Sequence, residues 1–189
     1  VGGVSVSTGG VWISSAAGRL QLPAALFLLA SFQLPMGIAA ASLALPWLVV
    51  TSLISCSGLV RLAKGGWRHV DTLCADVGSA YIVVGGVWSV VSRSGWRPWD
   101  FDALIVLMTA VHFHFAAFVL PVLAGRALRA LLSTNAGRIA AILLLTAIPL
   151  LAAAITARHF ESPPAVEWAA ACLMASAAGV VAVLHVRLA

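Results

Sequence analysis

Residues 101–124 read FDALIVLMTAVHFHFAAFVLPVLA. After Asp102 come 22 residues without a single Asp, Glu, Lys or Arg. At 1.5 Å of rise per residue, a helix of that length reaches roughly 33 Å, enough to cross a hydrocarbon core of about 30 Å. A soluble domain would be expected to place charge on such a helix at least once every turn or two. This stretch offers only two histidines, one threonine and a proline. It therefore reads as a membrane-spanning helix with polar groups near its middle.

The rest of the chain has the same character. Of 189 residues, 62% are hydrophobic and 9% charged. Soluble domains carry about 25% charged residues. The mean hydropathy is +1.06. Too few charges exist to coat a water-facing surface, so the fitting solvent is a bilayer. Five further apolar runs accompany the first: 20–34, 36–60, 72–92, 138–157 and 165–186. The run 20–34 is short and is interrupted by Pro23. It is expected to be tilted, partly re-entrant, or extended backward. Residues 1–19 are rich in Gly, Ser and Val, lack the basic start and compact apolar core of a signal peptide, and read as a flexible tail. The expectation is all-α: a polytopic membrane helix bundle of about six transmembrane helices, with residues 20–189 forming a single transmembrane domain.

Charge sets the expected sidedness. With six spans, one side collects Arg19, Arg61, Lys64, Arg68, Arg126, Arg129, Arg138 and Arg187, which is eight of the 11 basic residues. The other side collects Arg93, Arg97 and Arg158 with Asp100, Asp102, Glu161 and Glu167. By the positive-inside rule, both termini are expected to be cytoplasmic. Trp96, Trp99 and Trp168 fall at the outer boundary and Trp67 in an inner loop, as interfacial anchors do. Trp47 is the exception, lying well inside its run. The pI near 10.1 thus reports orientation and contact with the lipid bilayer. No basic patch with interleaved aromatics argues for nucleic acid as a partner.

Chemistry must lie within the bundle, because every loop is short. His112 and His114 sit deep in the fourth span, and ionisable groups there are costly. Residues two apart on a helix point about 200° apart, so one turn cannot aim both rings at a single ion. The pair must serve two faces, or the helix must be distorted locally. A span with polar groups on opposite faces is expected to sit centrally. Asp76 is the only acid well inside a span; it is expected either to open a polar vestibule with Thr51, Ser52, Ser55, Cys56 and Ser57, or to pair with Arg61 or Arg68. Tyr81 and Thr109 are further polar groups near the histidines, with Tyr81 a candidate hydrogen-bond partner from a second helix. Pro46, Pro121 and Pro149 are expected to kink their helices and free carbonyls. Gly85-Gly86 and the Ala175-xxx-Gly179 spacing fit close helix crossings.

Other residues have plainer readings. Asp100, Asp102 and Glu167 cap helix starts, where the dipole favours acids. His159 and His185 lie at span ends and His69 in a basic inner loop; all three read as interface residues. Cys56, Cys74 and Cys172 form no CxxC and read as inert buried thiols. No metal ligand set, haem pair or cofactor is predicted, and no nucleophile–base, phosphate-loop or dinucleotide motif appears to assign catalytic residues.

The stretch Leu107-Met108-Thr109-Ala110-Val111-His112-Phe113-His114-Phe115-Ala116-Ala117-Phe118-Val119-Leu120-Pro121 resembles the TAVHFHxAxFxLP segment of YndJ-like bacterial membrane proteins. Leu45-Pro46-Trp47, Ala80-Tyr81 and Gly85-Gly86-Val87-Trp88 are similar to that family as well. Ala117 stands where the family is expected to carry glycine. The likeness covers roughly residues 20–187. It implies a multi-pass protein of the bacterial inner membrane; it implies no reaction. His112, His114 and Pro121 match its motif positions.

The leading functional expectation is a small transporter or permeation protein, with His112 and His114 as midplane substrate or proton sites and Asp76 at the cytoplasmic mouth. Six short spans without visible repeats make a homo-oligomer its expected working form. The alternatives are a membrane-embedded metal or cofactor enzyme acting on a lipid-soluble substrate, and a structural accessory subunit. A cavity reaching a histidine favours the first, a closed chamber with convergent ligands the second, and dry packed histidines the third.

Overall fold

The structure is a computed structural model that describes residues 8–130 and 135–186, with side chains described from Ser15 onward except at Trp67. The first seven residues of the expected tail, Arg187 of the charge count, and the Trp67 side chain lie outside the described residues. Within them the chain forms six helices: α1 (Thr8–Ser31), α2 (Ile38–Ala63), α3 (Val70–Ser94), α4 (Ala103–Ala130), α5 (Asn135–His159) and α6 (Pro164–Val186). Short 3-10 turns at Gly66–Arg68 and Pro98–Asp100 join α2 to α3 and α3 to α4. Helices α2 through α6 are each long and apolar enough to cross a membrane. The fold is an all-α membrane helix bundle.

At the N-terminus one expectation is corrected, and one of the three readings of the short run is selected. Residues 8–19, read as flexible tail, are helical, and Pro23 lies inside α1 without ending it. The short run thus gains its length by extending backward. The tight link to α2 is made possible by Gly37, whose φ of 153° suits only glycine. A latch from α3 then holds the link. Arg93 is buried and donates through a guanidinium nitrogen to the Leu34 carbonyl at 2.6 Å, with its guanidinium over the Phe32 ring. The Gly37 N–H donates to the Arg93 carbonyl at 2.9 Å.

Packing runs α1–α2–α3–α4, with the α5–α6 pair against α4. The centre is the α3–α4 pair rather than the fourth span alone. Helix α3 meets its neighbours through glycine. A methyl group at Gly78 would press on the Phe118 carbonyl and Pro121, one at Gly85 would enter the His114 ring, and one at Gly86 would strike Thr51. Gly78 and Gly85 lie two turns apart, so both face α4. Gly58 of α2 and Gly125 of α4 sit equally close to the α3 backbone. Gly179 has open space around it, so the Ala175-xxx-Gly179 spacing does not mark a crossing. The core below the histidines is Phe113, Ala117 and Ala124 of α4, Leu144 and Ile148 of α5, and Ala177 and Val181 of α6.

The ends of the bundle differ. At the basic end, Arg61 pairs with Asp76, and Arg129 pairs with Asp71 at 3.0 Å. At the opposite end, Trp96, Trp99 and Trp168 are exposed. The Asp102 carboxylate there accepts from the Leu104 N–H at 2.8 Å, the capping role read from sequence.

Candidate functional site

Helix α4 is not regular. Residues Phe115–Val119 form a single π turn, with the Leu120 N–H donating to the Phe115 carbonyl. Pro121 follows immediately. A proline has no N–H to offer the carbonyl four residues earlier, here Ala117. Widening the ladder to five residues lets the helix carry on past this gap. The distortion begins at the residue after His114, so both routes foreseen for a His-x-His pair occur together: two faces, and a locally altered helix.

His114 faces α2. The Trp47 indole N–H donates to its Nε2 at 2.7 Å, and the two rings stack at 5.7 Å. An Nε2 that accepts must be unprotonated, so a neutral ring carries its proton on Nδ1. Nδ1 lies 2.7 Å from the Ala110 carbonyl and donates to it. Both ring nitrogens are therefore satisfied within the protein. Gly85 supplies the space for the ring. Trp47 was the tryptophan in the wrong place for an interfacial belt, and that misfit was the available signal for its role.

His112 faces the other way. Its Nε2 is buried and makes no hydrogen bond, and the ring lies against the Ile148 carbonyl of α5. It also lines a cavity of about 790 Å³ bounded by α3, α4, α5 and the start of α6. The cause of the cavity is visible in the packing. Helix α4 packs on α5 from the π turn onward, whereas the segment Ala103–His114 lacks comparable contact with α5. Pro149, next to Ile148, breaks the α5 ladder at the same level. The wedge between the two helices is the cavity. Phe113, which belongs to the same core cluster as the buried Ile148, closes its floor; Trp99, Phe101 and Glu167 stand at its mouth. Along its side, Leu104, Met108 and Val111 of α4 are exposed, so the wedge also opens sideways.

The mouth is a built feature. Trp99 adopts φ 51° and Asp100 φ 59°, a left-handed pair that bulky residues seldom adopt. His159 holds it, with Nε2 donating to the Trp99 carbonyl at 2.8 Å and its ring packed on Phe101 at 4.3 Å. His159, an interface residue by its place at a span end, thus also shapes the mouth.

The other predicted residues fall in different places. Thr109 lines the cavity, and its hydroxyl donates to the Ile105 carbonyl at 2.8 Å. Tyr81 meets Phe113 edge-on at 6.3 Å and packs on the core, so the second-helix partner of a histidine is Trp47 instead. Asp76 is buried at the basic end, where Arg61 Nε donates to it and Arg61 also reaches Ser57 and Ser79 at 3.3 Å. The pairing with Arg61, one of the two alternatives, is the one the structure contains, and it ties α2 to α3 away from the cavity. Pro46 adjoins Trp47 in α2, so of the three prolines two flank the cavity floor. Among the described residues, no three His, Cys, Asp or Glu side chains come together as a metal would need.

The sequence pattern of YndJ-like proteins matches residues 4–189. The chain belongs to the YndJ-like family. It is 32% identical over 89 residues to the uncharacterized membrane protein YndJ of Bacillus subtilis (strain 168), a match covering 46% of this chain and 16% of that relative. The chain thus corresponds to a small part of that longer protein. No solved structure matches. With five helices capable of spanning and a relative that is a membrane protein, this YndJ-like chain is a multi-pass membrane protein.

Proposed function

We propose that the chain is a small-molecule transport or permeation element of the bacterial inner membrane, with His112 as its substrate- or proton-binding group. The observation that carries this reading is the cavity: one deep titratable side chain lies at the inner end of a space that opens at the Trp99–Glu167 mouth and along the Leu104–Val111 side. His114 is assigned a different task, clasping α2 to α4. In this reading the positive-inside rule puts the cavity mouth on the outer face and both termini in the cytoplasm. Passage requires the floor at Phe113 to open toward the basic end. The π turn with Pro121 and the break at Pro149 lie beside that floor, where a change of helix angle would act on it most directly.

The alternating-access part of the reading has a direct test. A Thr109→Cys variant is made in the full natural protein after Cys56→Ser, Cys74→Ala and Cys172→Ser, with any cysteine outside this sequence also replaced, and placed in sealed vesicles of each orientation. A membrane-impermeant thiol reagent is expected to label it from the mouth side quickly and from the basic side more slowly. Labelling from the mouth side alone would reduce the cavity to a binding site. No labelling from either side would leave a structural subunit as the better reading.

A further inference from the structure

Most polar side-chain groups of the cavity are acceptors. Thr109 and Thr156 have given their hydroxyl protons to the Ile105 and Ala152 carbonyls, so their oxygens retain only accepting capacity. The group facing the His112 ring from α5 is a carbonyl. His112 Nε2 is itself fully buried, so the ring lines the cavity without offering that nitrogen to a ligand. Glu167, at the mouth, makes no hydrogen bond or ion pair among the described residues. Arg158, the nearest cation in sequence, donates instead to the Ser162 carbonyl at 3.3 Å. The exceptions are the indole N–H groups of Trp88 and Trp99 toward the mouth, whose ring faces attract cations. The remaining lining is apolar, and the wedge opens sideways at Leu104, Met108 and Val111, toward the hydrocarbon of a bilayer.

We infer that the cavity binds a lipophilic amine in its ammonium form, with Glu167 as counter-charge at the mouth and the Thr109 and Thr156 hydroxyl oxygens as acceptors along the wall. This rests on the reading of the cavity as a substrate site. An acceptor-lined apolar space with one unpaired carboxylate favours a ligand with N–H donors and positive charge. It disfavours an anion, which would face lone pairs and a carboxylate without a compensating cation. The sideways opening matches a ligand that partitions into the bilayer before it binds.

Three probes with one aromatic body provide the test: 2-naphthylmethylamine, its trimethylammonium analogue and 2-naphthylacetate. Binding is measured at pH 7 to the full natural protein in phosphatidylcholine nanodiscs, with partition into empty nanodiscs subtracted. The primary amine is expected to bind saturably, at least about tenfold more tightly than the carboxylate. Glu167→Gln is expected to weaken the amine by about tenfold, while Glu161→Gln, which removes a charge from the same end, leaves it unchanged. Thr109→Val, which removes an accepting oxygen from the wall, is expected to reduce the preference for the primary amine over the trimethylammonium probe. Equal or tighter binding of the carboxylate, an unaltered amine affinity in Glu167→Gln, or no saturable binding of any probe overturns the inference. Failure here combined with two-sided labelling of Thr109→Cys would reject the ligand class and leave the transport reading intact.

Discussion

At the scale of single residues, the two histidines share a motif and a helix but differ in what surrounds them. His114 is saturated by Trp47 and Ala110. His112 has an unpartnered nitrogen beside a cavity. A double-mutant cycle on Trp47→Phe and His114→Ala is expected to give a coupling of about 1 kcal/mol in detergent thermal unfolding, in the range for hydrogen bonds between membrane helices. Additive losses would mean that the contact contributes nothing. Asp76 is expected to matter for stability alone. Arg61 is about half exposed, with a side-chain exposure of 48%, and keeps a route to water when its partner is lost. Asp76→Asn should therefore cost about 1–2 kcal/mol, below the value of a sealed pair. Unchanged labelling of Thr109→Cys in that background checks its distance from the cavity. The positions of His112 and Asp76 along their spans were legible from helical rise. Their partners were not, because depth fixes a level in the membrane and says nothing of azimuth. Tyr81 and Trp47 both offered a donor near the histidines; only the rotation of α2 and α3 decides between them.

At the scale of elements, the break in α4 shapes the site. Pro121 announced a kink, yet the answer is a π turn at Phe115–Val119 that keeps the helix continuous. The sequence shows a missing N–H at Pro121 and is silent on how the ladder absorbs it. Glycine was legible where it paired with a bulky neighbour and misleading where it did not. Gly85→Ala would drive a methyl into the His114 ring and is expected to cost about 1–3 kcal/mol through overpacking. Gly179 meets nothing within 4 Å, so Gly179→Ala is expected to be neutral or to stabilise by up to about 1 kcal/mol through helix propensity. The same unfolding measurement on both variants decides the matter; equal effects would contradict the assignment of α3 as the closely packed helix. Helix α1 shows the opposite limit. Its apolar run looked too short because Gly, Ser and Thr before residue 20 resemble a loop by composition. A helix beside α2 can nevertheless contain them.

For the whole molecule, alternation of apolar run and charged link was enough to predict an all-α membrane bundle. Six helices and two chemically distinct ends agree with it. The cavity was beyond reach from sequence, since it arises from two ladder breaks, on α4 and α5, that only the packed bundle brings to one level. This space reaches His112 and stops short of His114. Labelling measures it directly. His112→Cys and His114→Cys are made separately in the protein after Cys56→Ser, Cys74→Ala and Cys172→Ser, with any cysteine outside this sequence also replaced, and exposed, in membranes, to an impermeant thiol reagent. Modification is expected at position 112, and protection at position 114 until the protein is unfolded. Equal labelling of both, or labelling at 114 alone, would contradict it.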